Sequence, residues 1–304
     1  MPGMNDPPRD EPMGLGKKKA FWMVVFLLLA WPWDGAGAQA EGSIGDRFTG
    51  EALKYEVGFW LIDPVGGGVA DFRNLGHGRY RVYHVGKAEG FVGWLTNYRR
   101  EIYRSTMTTI NDGKRLIPLK FEEYSVTGER YRNKTTTYDY PGRKVIIERE
   151  RKGKPTKREE MEIPVGVLYD DPVTAFYNLR FGVYGKVEPG KEFILRTIPS
   201  KGHEIIRIQV ATKEETEKAR AEEKVKTGKD LLIRILLDRE MWGRKKGELE
   251  IWFNRDLVPI SGVVKDIPWF GDIRGRQTFH GNIRAPLKEE VSIPGDRKEA
   301  ARAK

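Results

Sequence analysis

A period of two in the apolar residues constrains this chain more than any other feature. In ALKYEVGFWL, residues 52 to 61, Leu53, Tyr55, Val57, Phe59 and Leu61 fall on one face, while Lys54, Glu56 and Trp60 fall on the other. That is the pattern of a half-buried strand. HEIIRIQV (203 to 210) sets Ile206, Ile208 and Val210 against His203, Arg207 and Gln209, and ELEIWFN (248 to 254) puts Leu249, Ile251 and Phe253 on one side. Further strands are expected at 79–85, 100–109, 117–126, 130–139, 144–150, 192–198, 230–237, 258–265 and 274–283. Groups such as Asn111-Asp112-Gly113 and Tyr140-Pro141-Gly142 lie between them and supply turn dihedrals. Gly66-Gly67-Gly68, after Asp63-Pro64, reads as a hairpin tip rather than a phosphate cradle. Many short strands with few helices predict a mainly β fold: one large antiparallel sheet, curved or half-barrel.

Three stretches interrupt the rhythm. YDDPVTAFYNLRFG (169 to 182) reads as a short capped helix over 171–181, with Asp171 as N-cap, Pro172 at the first helical position and Gly182 as the stop. Val173, Phe176 and Tyr177 share its apolar face, with Leu179 beside them. Asp170 reads as a turn residue, and acid or base chemistry at the pair would need burial that a lone helix start does not provide. ATKEETEKARAEEKVKTGK (211 to 229) is polar all round, with Glu214–Lys218 and Glu222–Lys226 at i, i+4 spacing, and is expected to be an exposed helical or disordered insertion. RERKGKPTKREE (149 to 160) reads as a basic hairpin tip. It is either a solvated turn or a contact for anionic lipid or glycan through Arg151, Lys152, Lys154, Lys157 and Arg158.

The N-terminal segment fixes the expected compartment. Lys17 to Lys19 precede an apolar run from Ala20 to Trp33 and then Ala38-Gln39-Ala40, the order of a cleavable signal peptide. The run is shorter than the roughly 18 to 20 residues that span a bilayer, and Pro32 breaks its end. Cleavage after Ala40 and a periplasmic or envelope location follow; the alternative is an inner-membrane anchor formed by uncleaved 20–33. Residues 41–49 are then a short linker, 50–285 the β domain, and 286–304 a disordered basic tail. With no cysteine, the chain is neither an acylated lipoprotein nor a disulfide scaffold. Its net charge of +10 resides wholly in the exported part, because residues 1 to 40 hold four charges of each sign. Export argues against a nucleic-acid partner and points to envelope polyanions or peripheral membrane contact.

Chemical motifs are sparse. Of four histidines, His77 and His84 stand seven apart, so on one strand they would face opposite ways. No metal, phosphate-loop or nucleophile-elbow pattern is present, and no catalytic residue or cofactor is assigned. The tryptophans are more suggestive. Trp60, Trp94, Trp242, Trp252 and Trp269 lie in or beside strands, with Trp60 and Trp252 opposite the strictly apolar faces. They either close a second core under a helix or, with Tyr177, line a groove for acyl chains or sugars.

The helix YDDPVTAFYNLRFG, the opening GEALKYEVGFWLIDPVGGGVADF (50 to 72) and FNRDLVPISGVVKDIPWFGDIRGRQTF (253 to 279) occur in the order seen in a bacterial exported family, domain of unknown function 3108, which the chain resembles from about Gly50 to about Ile283. Glu51, Leu53, Tyr55, Val57 and Gly58 fit its first hairpin. The charged insertion at 211–229 and Arg255 before Asp256, where an acidic pair is expected, depart from the pattern. The resemblance implies an envelope β domain and assigns no activity. The expected function is a non-catalytic binding or carrier module for a lipid or other envelope amphiphile. The alternative is an assembly factor docking on an envelope protein or anionic glycan without a ligand cavity.

Overall fold

The computed structural model describes residues 42–59, 62–90, 93, 97–200, 203–222, 229–237, 247–267 and 271–283. The expected signal segment 1–40, the expected tail 286–304 and Trp60, Trp94, Trp242 and Trp269 lie outside the described residues. Fourteen strands form one sheet: β1 (Glu51–Phe59), β2 (Ile62–Gly76), β3 (Arg79–Ala88), β4 (Arg100–Ile110), β5 (Arg115–Thr127), β6 (Arg130–Asp139), β7 (Lys144–Arg151), β8 (Lys154–Glu162), β9 (Glu192–Ser200), β10 (His203–Val210), β11 (Leu231–Leu237), β12 (Gly247–Phe253), β13 (Pro259–Ile267) and β14 (Gly271–Asn282). Helices that lie wholly within the described residues accompany them: α1 (Ile44–Phe48), α2 (Pro172–Phe181) and α3 (Lys213–Glu222).

Every neighbouring pair is antiparallel, and the order is β8-β7-β6-β5-β4-β3-β2-β1-β14-β13-β12-β11-β10-β9. The first and last strands pair with each other, so the meander would be a closed ring but for one seam between β8 and β9. Those two strands are consecutive in the chain, and α2 lies in the segment that joins them. The seam is bridged by backbone: the Asp170 N–H donates to the Arg196 carbonyl of β9 at 2.9 Å.

The concave face carries two apolar clusters that meet at α2. Val173 and Tyr177 pack with Phe48, Phe72, Tyr103, Phe121 and Val145 on the β2–β7 side, and Leu179 packs with Phe193, Ile208, Ile251 and Val264 on the β9–β14 side. Phe176 touches both clusters. Tyr177 sits edge-on between Phe48 and Phe72, with ring centroids 4.9 and 4.8 Å away, an arrangement favoured by the aromatic quadrupole.

Three departures from the sequence reading have local causes. The stretch 41–49, expected as a linker, contains α1, whose Ile44 and Phe48 are buried in the core beside α2. Gly66-Gly67-Gly68 is not a hairpin tip; it lies inside β2, paired with β1 on one side and β3 on the other. A Cβ would overlap the Lys87 carbonyl at Gly66, the Tyr55 carbonyl at Gly67 and the Tyr55 hydroxyl at Gly68, so close strand approach requires the glycines. Finally, 149–160 is mostly strand, and the turn is only Lys152-Gly153, with Gly153 at φ 72. Almost every residue of β8 is exposed at the sheet edge, which removes the apolar alternation that would have marked it.

Within the charged stretch 211–229 a helix forms over Lys213–Glu222, and it has a role. Thr212 and Glu215 make a reciprocal capping box, with the Thr212 N–H donating to Glu215 Oε2 at 2.8 Å and the Glu215 N–H to Thr212 Oγ1 at 3.1 Å. Ala219 of α3 then packs on a convex-face cluster of Ala211, Leu232, Trp252 and Ile260.

Candidate functional site

The adjacent carboxylates at the start of α2 form a buried joint. Asp171 caps the helix: its Oδ1 accepts from the N–H groups of Val173 (2.8 Å) and Thr174 (3.0 Å), and its Oδ2 accepts from the hydroxyls of Ser105 (2.7 Å) and Thr174 (2.8 Å). Asp170 does more than turn the chain. Its Oδ2 accepts from Arg115 (3.0 Å) and Tyr184 (2.9 Å), and its Oδ1 from Asn178 (3.1 Å). The expectation that a helix start leaves such residues solvated is corrected, since Asp170 and Asp171 are only 4% and 2% exposed. Strands β4 and β5 bury them. Burial pushes both carboxyls up, and Asp170 reaches about 6 despite the opposing pull of Arg115. All four oxygens are occupied by the protein's own donors, which makes the pair a fastening between α2, the sheet and the seam.

A second anchor holds the other end of α2. Arg180 makes a bidentate pair with Glu51 of β1, at 2.7 Å for each bond, and also donates to the Leu257 carbonyl at 2.8 Å. Burial alone would raise Glu51, but the Arg180 guanidinium, aided by a His280 hydrogen bond, brings it down to about 2.

The concave wall of β3–β8 changes character along the strands. Near α2 its rows are apolar, as in Tyr138 opposite Val145 and Val145 opposite Met161. Two rows nearer the opposite rim are charged. One runs Tyr103, Glu123, Lys134, Arg149, Lys157 across β4 to β8, and the next runs Glu101, Ser125, Arg132, Arg151, Lys154. Carboxylates accompany the first, in Lys134–Glu123 and Arg149–Glu159 (2.6 Å). In the second, Arg132 stands directly opposite Arg151, and Arg151 directly opposite Lys154. Glu101 lies at the inner end of this row, buried and bonded to Arg99 and Ser125, with its carboxyl raised by burial against the pull of Arg99. Behind it His84, stacked on Tyr55 and Tyr103, is driven down to about 3 by burial and is therefore neutral.

A cleft of about 820 Å³ opens at this rim, lined by Arg130, Arg132, Arg151, Lys152 and Lys154 together with one carboxylate, Glu129. The guanidinium of Arg132 is lowered first by burial and then by Arg151, Arg99 and Arg130, with Glu101 acting the other way, so positive groups converge there. The β5–β6 and β7–β8 turns bring these residues together.

Of the five basic residues singled out in the sequence, Arg151, Lys152 and Lys154 line the cleft. Lys157 belongs to the next row, and Arg158, opposite Glu148, is engaged by Glu160 at 2.7 Å. Arg130 and Arg132 were not singled out; their signal is the alternation of basic residues in RYRNK after Gly128-Glu129. Trp252 is 1% exposed beneath α3, with Lys229 Nζ 5.0 Å from its ring, and Tyr177 is 1% exposed inside the core, so neither presents a groove surface. Among the described residues no three His, Cys, Asp or Glu side chains gather as a metal ion requires.

Fold and cleft together define a curled antiparallel β protein with an internal helix and a cationic rim. The chain belongs to the family described as "Protein of unknown function (DUF3108)", whose pattern it matches over residues 54–276. Among solved structures it is similar to a β-barrel-like protein of domain of unknown function DUF1849 from Brucella abortus, with 11% identity, 78% of this chain and 99% of that one covered, and a TM-score of 0.45. Among curated proteins none matches.

Proposed function

We propose that the protein is an exported, non-catalytic binding module of the cell envelope that engages an anionic partner, a lipid headgroup or an envelope glycan, through the cationic rim. The observation that carries this reading is the cleft, where five cations meet one carboxylate. Such a surface attracts polyanions over distances set by ionic strength. A carrier with a tryptophan-lined apolar groove is the weaker reading, because Trp252 is covered by α3. Export rests on the basic, apolar and Ala-x-Ala order of residues 17 to 40, and mature protein should begin at Glu41 on N-terminal sequencing. Binding is tested by flotation of the mature protein with anionic and with zwitterionic vesicles, and by retention on an anionic glycan. Retention should require negative charge and fade as salt shortens the Debye length from about 30 Å to about 3 Å. Equal retention on zwitterionic and anionic surfaces would overturn the reading.

A further inference from the structure

The second charged row contains an arrangement that folding alone disfavours. Arg132 on β6, Arg151 on β7 and Lys154 on β8 occupy directly opposed positions on three successive strands. Opposed side chains in a sheet start about 5 Å apart, and like charges so placed repel. The neighbouring row tempers the same problem with Glu123 and Glu159. Here the carboxylates stand at the two ends: Glu101, at the inner end of the row, acts on Arg132 against its like-charged neighbours, and Glu129, beyond the row, approaches Lys152 at 3.5 Å. A locus of concentrated positive charge, lined by two guanidinium forks on adjacent strands, calls for an anion that carries more than one charge at a single centre.

Resting on the rim reading above, we propose that the cleft takes a phosphate monoester, gripped between Arg132 and Arg151 with Lys154 as third cation. The choice among anions follows from charge and shape. A phosphate monoester carries about −1.5 to −2 at pH 7 and offers three acceptor oxygens. Two forks can each take a pair of its oxygens, as guanidinium geometry favours. A carboxylate has one charge and two oxygens, so it satisfies one fork and leaves the other facing its like-charged neighbour. A phosphodiester also has a single charge. The cleft volume suits a headgroup-sized ligand.

Two sources of the same chemistry are separated by experiment. Calorimetric titration of the mature protein with a soluble hexose phosphate reads the free ester. Flotation with phosphatidylcholine vesicles containing phosphatidic acid, a monoester, or phosphatidylglycerol, a diester, at matched surface charge reads the headgroup. Saturable hexose phosphate binding that weakens as pH falls through about 6, where the monoester gains a proton, is expected. Preference for phosphatidic acid then assigns a lipid headgroup; binding of the hexose phosphate without vesicle retention assigns a soluble ester. Arg132→Lys and Arg151→Lys keep the charge and remove the fork. Each should weaken binding about tenfold or more with the melting curve unchanged, while Arg255→Ala, remote from the rim, should not. Equal retention on the two anionic vesicles, or wild-type binding by both lysine variants, overturns the monoester assignment and leaves the broader anionic reading standing. Failure to bind any anionic vesicle, polygalacturonate or hexose phosphate overturns both.

Discussion

Replacing Glu51 by Gln tests whether the Arg180 pair is the fastening of α2. The substitution keeps the shape and one acceptor oxygen but leaves the Arg180 guanidinium, whose side chain is 3% exposed, without its counter-charge. Breaking a buried ion pair in this way costs about 3 to 5 kcal/mol. The titration of Glu51 gives an independent figure. A fall from the ordinary 4.5 to about 2 corresponds to about 3 kcal/mol of stability. Because the folded-state value is depressed, that stability is fully present above 4.5 and disappears as pH falls through about 2. Urea melts of wild type and Glu51→Gln should therefore differ by about 3 kcal/mol at pH 7 and converge toward pH 2. A difference below about 1 kcal/mol at pH 7, or one that does not shrink on acidification, would refute the reasoning.

Asp170 should show the opposite slope. Its folded-state carboxyl is raised from 3.8 to about 6, so the stability it contributes is fully present below 3.8 and lost as pH rises through about 6. Asp170→Asn should remove this decline, narrowing the stability gap between pH 4 and pH 7 by about 2 kcal/mol in matched urea melts. Asp171→Asn should stay within about 1 kcal/mol of wild type at pH 7, since the amide oxygen still caps the helix and the Ser105 and Thr174 hydroxyls can turn to accept from its nitrogen. Asp171→Ala should cost about 2 kcal/mol, because it strips the cap and leaves the buried Ser105 and Thr174 hydroxyls with only each other, 3.3 Å apart.

Local signals in the sequence were legible, and contacts between distant segments were not. Helix α2 could be read from Asp171, Pro172 and Gly182, because capping chemistry is written within a few residues. Most strands were legible through their alternation, but β8 was not, since an edge strand exposed at every position but Met161 has no buried face to encode. Trp252 shows the boundary well: alternation placed it on the second face, yet only the fold reveals that α3 covers it. Glu51 and Arg180 each stood out within separate motifs, but 129 positions separate them and neither motif discloses the bond. The rim row has the same character. Arg132, Arg151 and Lys154 become one group only through the registers of β6, β7 and β8.

That row also allows conflict in the fold to be separated from ligand binding. If the opposed cations were an accident of a solvated edge, exchanging the middle one for a carboxylate would relieve the repulsion and change nothing else. Arg151→Glu would place a carboxylate between Arg132 and Lys154, converting two like-charged cross-strand contacts into two attractive ones. Each such contact is worth a few tenths to about 1 kcal/mol, so the variant should be at least as stable as wild type in urea. The same exchange puts a negative charge where the anion must sit. Hexose phosphate binding and retention on anionic vesicles should then be lost from a protein that melts no earlier. Residues placed by folding fail together with the fold, whereas residues kept against local energetics for a ligand improve stability when the ligand site is removed. Undiminished anion binding by the stable Arg151→Glu protein would place the Arg132, Arg151 and Lys154 row outside the binding surface.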